Sequence, residues 1–284
     1  MKIEFLGTGG AMSIPRPLCN CIVCKEAREK GVPYSRTGPS LFIHGPNVLI
    51  DTPEDIYYQI NRSTIKNINA VFYSHWHPDH VMGRRVLESL NADWVGNPPK
   101  PSQTDVYLPE QVGKDFENRL GSGEHLQFFE EQGFIKLHQL SDGDSIVLND
   151  TTISPFRLAE NYVYAFLFET SNKFILIAPD ELNNWEPSKQ MKGVDLAILP
   201  MGICDFHPLT GEQQIDVLHP VLNAEATFSD TIDIIKKLQA KRTILTHIEE
   251  VDGLGYEELE KLKVKLKLEG IQIEFAYDTL IVDI

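Results

Sequence analysis

The hexapeptide His75-Trp76-His77-Pro78-Asp79-His80 sets three imidazoles and one carboxylate directly after the apolar run Ala70-Val71-Phe72-Tyr73. A short apolar run of this kind reads as a buried strand, so the fold must deliver the polar cluster at a strand end. Imidazole and carboxylate are the donors that Zn²⁺, Mn²⁺ and Fe accept. His75 and His77, two positions apart, share a direction as the chain leaves the strand, while Asp79 and His80 turn toward a neighbouring position. The pattern points to two adjacent metal ions. A surface loop can gather histidines by chance, but three with an aspartate inside six positions argue for a metal site.

Around this cluster the chain alternates short β runs with helices and shows no repeat or low-complexity tract. Leu41–His44 and Val48–Ile50 flank Gly45-Pro46-Asn47, which predicts a hairpin. Helices are expected over Glu54–Arg62 and Val81–Leu90, the latter with Arg84 and Arg85 facing outward, and Asn97–Pro101 is expected to be a loop near the site. Ile146–Leu148, Tyr164–Phe168, Phe174–Ile177 and Leu196–Leu199 carry the β-branched and aromatic residues of buried strands. Ile232, Ile235 and Leu238 form one apolar stripe over Asp230–Leu238. Leu259, Leu262 and Leu266 form another over Glu257–Leu266, where Glu257 and Lys261 stand at the i,i+4 spacing of an ion pair.

With 284 residues, 42% of them hydrophobic, the chain can bury a large core. One domain over 1–284 is expected, because the candidate ligands must converge from both halves. No stretch approaches the roughly 18 consecutive apolar residues of a membrane span, and Met1–Gly7 lacks the apolar core of a signal peptide, which points to the cytoplasm. A net charge of −15 argues against non-specific nucleic-acid binding, which needs clustered Lys and Arg. Bound divalent ions can nevertheless reverse the local potential.

The run His75-x-His77-x-Asp79-His80 resembles the signature of the metallo-β-lactamase superfamily, metal-dependent hydrolases and oxidoreductases built on an αββα sandwich. The resemblance extends over nearly the whole chain. It includes the strand and Gly-rich turn Lys2–Gly10, the strand Val48–Ile50 ending at Asp51, the strand Phe174–Ile177 leading to Asp180, and Thr243–Thr246 leading to His247. It implies an α/β fold of four layers. Carried over residue by residue, it implies that His75 and His77 bind one ion, that Asp79, His80 and His247 bind a second, and that Asp180 bridges them. Zinc is the implied metal, with manganese or iron as alternatives. One ligand of the family is missing: where a further first-site histidine is expected, Ala159 stands, with Glu160 beside it as a candidate substitute.

Cys19-Asn20-Cys21-Ile22-Val23-Cys24 is a second metal signal, because three close thiols in a reducing compartment match a structural zinc better than a disulfide. The alternative is three small buried hydrophobes. The cluster resembles that of the phosphonate-pathway phosphodiesterases and of a quinone-cofactor biosynthesis protein. Those relatives complete the zinc with a histidine at the position that is Glu250 here, so Glu250, Cys204, His44, His207 and His219 are all candidates for the fourth ligand. The same branch often supplies a leaving-group acid at the position read here as Phe228, which leaves His207 and His219 as candidates for that role beside Asp79, expected to orient the nucleophile.

The expected function is metal-assisted hydrolysis of a small or cyclic phosphodiester, in which an ion lowers the pKa of its water toward roughly 7. The rival is a non-hydrolytic member that binds a small molecule or serves cofactor biosynthesis through a partly dismantled site. tRNA 3′-end processing and lactone or thioester hydrolysis are further alternatives. The expected partner is a small-molecule substrate, with nucleic acid and membrane set aside on charge and hydropathy. Oligomeric state is not legible, and a homodimer is one option.

Overall fold

The computed structural model describes residues 1–121 and 123–284. Strands β1 (Lys2–Gly7), β2 (Ser40–His44), β3 (Val48–Ile50), β4 (Ala70–Phe72), β5 (Thr104–Pro109) and β6 (Ile135–Leu140) build one sheet in chain order. A second sheet holds β7 (Ile146–Leu148), β8 (Thr151–Arg157), β9 (Tyr164–Glu169), β10 (Phe174–Ile177), β11 (Leu196–Pro200), β12 (Thr243–Thr246) and β13 (Glu274–Phe275). The last strand, β14 (Ile281–Asp283), crosses back to the first sheet and pairs antiparallel with β1, Lys2 opposite Asp283.

Alternation of side chains along each strand divides the core into layers. Ile3, Phe5, Ile50 and Phe72 from the first sheet meet Phe166, Phe168, Ile177 and Ile198 from the second in one apolar layer between the sheets. The outward residues of β3 and β4, Leu49 and Val71, pack under helical residues such as Ile56, Leu87 and Phe116. Leu199 and Leu245 on the outer face of the second sheet cover Ile232, Ile235, Leu259 and Leu262. Each fully buried Phe, Ile or Leu contributes about 1.5–3 kcal/mol, so the strand ends that carry the site are anchored on both faces. The result is the four-layer αββα sandwich that the resemblance implies, helices outside two packed sheets.

The expected hairpin forms: β2 and β3 pair antiparallel with Leu41 opposite Ile50, and Gly45 (φ 107°) and Asn47 (φ 56°) take the positive dihedrals of its turn. The helix expected from 230 begins two residues earlier, at Phe228, because Thr227 and Asp230 close a capping box. The helix expected over 81–90 is broken into Pro78–Val81 and Val86–Asn91. Gly83 is the cause: its N–H donates to Thr52 O at 2.8 Å, and a Cβ there would overlap the Pro53 carbonyl. Arg84 is consequently half-buried, with its guanidinium folded back on Val81 O, and only Arg85 faces out as expected. Glu257 and Lys261 do not pair: Glu257 lies 3.7 Å from Lys30, and Lys261 lies 3.7 Å from Glu258. Asn97–Pro101 is irregular, pinned by Asp93, which accepts from Gly96 and Lys100 N–H, and none of it lines the cavity described next.

Candidate metal centre

Parallel strands β3 and β4 of the first sheet, and β10, β11 and β12 of the second, end on the same side, and the loops after them bring the candidate donors together. His75, His77 and Asp180 form one group and Asp79, His80 and His247 another, with the donor atoms of each group all within 4.8 Å of one another. Asp180 spans the two: its Oδ2 lies 3.3 Å from His75 Nε2 and 3.7 Å from His80 Nε2, and its Oδ1 lies 3.5 Å from His247 Nε2. Asp79 Oδ2 is 3.4 Å from His80 Nε2 and 3.6 Å from His247 Nε2.

These spacings test whether the residues suit a metal. The Nε2 atoms of His75, His80 and His247 are buried and make no hydrogen bond, although carboxylate oxygens surround them. Ligands held tetrahedrally about 2.1 Å from one ion stand roughly 3.4 Å apart, which is the separation seen here. The donor set therefore fits one or two divalent ions.

Side-chain hydrogen bonds and backbone conformation together aim these side chains. The Nδ1 of His80 lies 2.8 Å from Asp51 Oδ2, and Ser74 Oγ donates to the same oxygen at 2.6 Å, which turns His80 Nε2 toward Asp79 and Asp180. Ser74 Oγ also lies 3.0 Å from His75 Nδ1. Asp51 (φ 60°) and His247 (φ 53°) both sit in the left-handed region, a conformation that persists only where neighbours over-determine it. The turn after β1 supplies part of that constraint: Thr8 O accepts from Ile248 N–H at 2.9 Å, and a Cβ on Gly10 would overlap the His247 ring.

Electrostatics separates the two groups. Burial pushes His75 and His77 down, His77 to about 4, and the neighbouring imidazole adds to each, so both keep free lone pairs at neutral pH. Burial acts the same way on His80 and His247, but carboxylates outweigh it. Asp79 and Asp51 raise His80, and Asp180 and Asp79 carry His247 up to about 10. Burial opposes ionisation of Asp79 and Asp180, yet the surrounding imidazoles hold both below the usual carboxylate range. Two ionised carboxylates thus draw positive charge to this point, a demand that a divalent cation meets.

Ala159, where the missing histidine was expected, is exposed, and Glu160 is not among the converging donors. Tyr162 instead lies beside the two histidines. Its ring centroid lies 5.4 Å from that of His77 and 6.2 Å from that of His75. Burial, then Glu160 and Asp180, push its phenol up to about 12. A cavity of about 580 Å³ opens from the donors and is lined by His77, Asp79, Asp180 and His247 at one end and by His219 toward the other residues of the 214–226 segment. His207 does not line it; its Nδ1 accepts from Leu209 and Thr210 N–H. Glu181, which the sequence reading did not single out, also lines the cavity, and burial together with Glu225 pushes its carboxyl up to about 9.

The three cysteines converge with Glu250, and their donor atoms lie within 4.8 Å of one another. Glu250 Oε1 accepts from Cys19 Sγ at 3.0 Å and from Cys21 Sγ at 3.1 Å, while Arg16 lies 3.3 Å from Oε2. Backbone N–H groups of Arg16 and Cys24 donate to Cys24 and Cys21 sulfurs at 3.2 and 3.3 Å, an environment that favours thiolates once a cation is present. The other candidates are occupied elsewhere: His44 Nε2 lies 3.0 Å from Glu4, and Cys204 is buried beside Asp252, to which its N–H donates at 3.1 Å.

With this geometry, similarity to known proteins becomes interpretable. The sequence model described as the beta-lactamase superfamily domain matches residues 46–248. A ribonuclease Z of Methanocaldococcus jannaschii is 25% identical over an alignment covering 100% of this chain and 97% of that protein. A solved diphosphatase of the PhnP family has a TM-score of 0.70 at 23% identity, covering 100% of this chain and 97% of its own. Zn²⁺-bound PqqB from Methylobacterium extorquens has a TM-score of 0.70 at 14% identity, with both chains covered in full. The ribonuclease among these relatives removes the ground for setting nucleic acid aside on net charge alone. No helix among the described residues is long and apolar enough to cross a membrane. The family match spans well over half of the sequence and ends on the strand-end donors described above, and the chain accordingly belongs to the beta-lactamase superfamily as one of its metal-dependent hydrolases.

Proposed function

We propose that the chain hydrolyses phosphodiesters at a pair of divalent ions, zinc being the favoured metal and manganese or iron the alternatives, with residues 1–284 acting as one domain. The observation that carries this reading is the pair of donor groups, spanned by Asp180, whose buried Nε2 atoms have no hydrogen-bond partner. Its relatives support it: by name, a ribonuclease cleaves phosphodiester bonds and a diphosphatase cleaves a phosphoanhydride, so both break a P–O bond. His75 and His77 would hold one ion with Asp180, and Asp79, His80 and His247 the other. When bound, such ions supply Lewis acidity toward a phosphoryl oxygen and acidify water.

The chain's own groups do the rest. Asp79, kept ionised, accepts a proton or a hydrogen bond at the inner end of the cavity and orients the nucleophile. His219 Nδ1 accepts from Val221 N–H at 3.1 Å, which leaves Nε2 as the ring nitrogen free to donate a hydrogen bond to a leaving oxygen. His207, off the cavity, has no such role. Cys19, Cys21, Cys24 and Glu250 form a separate structural zinc site that ties the N-terminal loop to the segment following His247. The free thiols suit a reducing compartment such as the cytoplasm.

RNA is the second substrate class, favoured by the ribonuclease Z relative that aligns over the whole chain. The test is turnover of bis(p-nitrophenyl) phosphate and of a 3′-extended tRNA precursor by protein loaded with Zn²⁺, Mn²⁺ or Fe²⁺. Cleavage of the first supports the small-diester reading, and cleavage of the precursor alone supports RNA. Metal binding without cleavage of either would overturn the phosphodiester reading.

A further inference from the structure

Asp278, on the turn between β13 and β14, belongs to neither donor group and is fully buried. Five hydrogen bonds converge on its carboxylate. Oδ1 accepts from Thr8 N–H at 2.9 Å and from the Thr8 hydroxyl at 2.8 Å. Oδ2 accepts from Thr37 N–H at 2.9 Å, from the Thr37 hydroxyl at 2.6 Å and from Arg62 Nη2 at 2.6 Å. Arg36, also buried, donates to Thr8 Oγ1 at 2.9 Å and to Ala276 O. The turn that carries Asp278 is fastened to both sheets: Ala276 N–H donates to Leu245 O at 2.8 Å, and Thr279 N–H donates to Phe5 O at 2.7 Å.

This anchor holds the turn against which His247 rests. Gly9 N–H donates to Thr37 O at 2.8 Å, so Asp278 grips both sides of that contact, Thr8 through Oδ1 and Thr37 through Oδ2. Thr8 O in turn accepts from Ile248 N–H at 2.9 Å, and Gly10 lies so close to the His247 ring that no Cβ fits. His247 keeps its left-handed backbone (φ 53°) only while such neighbours hold it there. His75 is held from another direction, by Ser74 Oγ at 3.0 Å. Building on the two-ion reading of the centre, we propose that Asp278 is a positioning residue for the ion of the Asp79–His80–His247 group. It fixes the Thr8–Gly10 turn, the turn fixes the His247 ring, and the ion held by His75 and His77 is indifferent to it.

Asp278→Asn keeps the shape of the side chain but turns an amide N–H toward groups that need an acceptor. Zinc occupancy, read by anomalous scattering in crystals equilibrated across a zinc series, tests the role site by site. The concentration that half-fills the Asp79–His80–His247 group is expected to rise about tenfold, with that of the His75–His77–Asp180 group unchanged. Thr8→Val should weaken the same ion and Thr8→Ser should not, because only serine keeps the hydroxyl between Asp278 and Arg36; this pair decides the matter should Asp278→Asn fail to fold. Glu4→Gln is the control. Glu4 is a buried carboxylate on the same strand as the turn, held by Thr64 and His44, and its loss should lower the urea midpoint without moving either occupancy curve. Unchanged curves in folded Asp278→Asn or Thr8→Val, equal weakening of both ions, or the same shift in Glu4→Gln would overturn the role. A wild type that binds zinc at neither group would overturn the two-ion centre and the role together. The expected occupancies without cleavage of any diester would overturn the phosphodiesterase reading alone.

Discussion

The two donor groups of the centre lie side by side, yet they are built differently. Asp79, His80 and His247 offer one carboxylate and two imidazoles, and the Asp51 carboxylate behind His80 fixes its ring by a 2.8 Å contact. His75, His77 and Asp180 offer the same count of donors, but the ring beside the two histidines is that of Tyr162, not of a further histidine. The carboxylates raise the imidazoles of the second group, while burial lowers those of the first. The contrast teaches that ligand count alone does not set affinity. The orientation of each ligand by its neighbours and the local balance of charge decide how tightly each ion is held, and here both favour the Asp79–His80–His247 group.

The largest break in this contrast should come from the residue both groups share. Asp180→Ala is expected to lose both ions and to lower phosphodiesterase kcat by roughly a thousandfold or more, with far-ultraviolet circular dichroism unchanged. Metal analysis beside kinetics checks it. Two bound ions retained in a folded variant would show that Asp180 does not span them.

Asp51→Ala should act on the second group alone. Losing an outer partner of a metal-binding imidazole typically costs 10–100-fold in affinity, so about that loss is expected for one of the two ions, read by competition with a chromophoric chelator. It also removes the acceptor of the buried Ser74 N–H, which donates to Asp51 Oδ1 at 2.8 Å, and a buried group left unsatisfied costs about 1–3 kcal/mol of stability, measurable by urea unfolding.

Tyr162→His sharpens the comparison from the other side. It places an imidazole where the first group lacks one, and should tighten that ion by about tenfold. Ala159→His, the change that sequence alignment suggests, is expected to alter nothing, because Ala159 is exposed and Tyr162 is the residue facing His75 and His77. If Ala159→His tightened metal binding and Tyr162→His did not, the assignment of that loop would be wrong.

The smallest effect on chemistry should come from the remote cluster. Serine at Cys19, Cys21 and Cys24 together is expected to remove one zinc equivalent and lower the melting temperature, with kcat per bound active-site ion unchanged. A disulfide among the three, or full zinc content in the triple variant, would contradict the Cys19–Cys21–Cys24–Glu250 site.

Much of the centre was legible from the sequence because its donors sit at the ends of apolar strands, where local pattern and chemistry coincide. The 75–80 cluster follows β4, Asp180 follows β10 and His247 follows β12, so each stands out in the sequence as a donor at a strand end. What was not legible depends on approach through space. Tyr162 earns its place only because the 158–163 loop lays its ring against His77, and nothing in Asn161-Tyr162-Val163 announces that. Glu181 reads as an ordinary acid beside Asp180 until Glu225, 44 positions later in the chain, folds against it. The helix over 81–90 carried a helical pattern, and it broke because Gly83 meets the turn after Asp51 at a distance no Cβ allows. Glu250 was one of five candidates, and only the turn after β12 set it between Cys19 and Cys21.

The inequality of the two groups is tested most directly by anomalous diffraction at the zinc edge on crystals equilibrated across a graded series of zinc concentrations, which reads occupancy site by site. Density is expected to fill first between Asp79, His80 and His247, and only at higher zinc between His75, His77 and Asp180. Equal filling at every concentration, first filling at His75 and His77, or no zinc density at either group would contradict it.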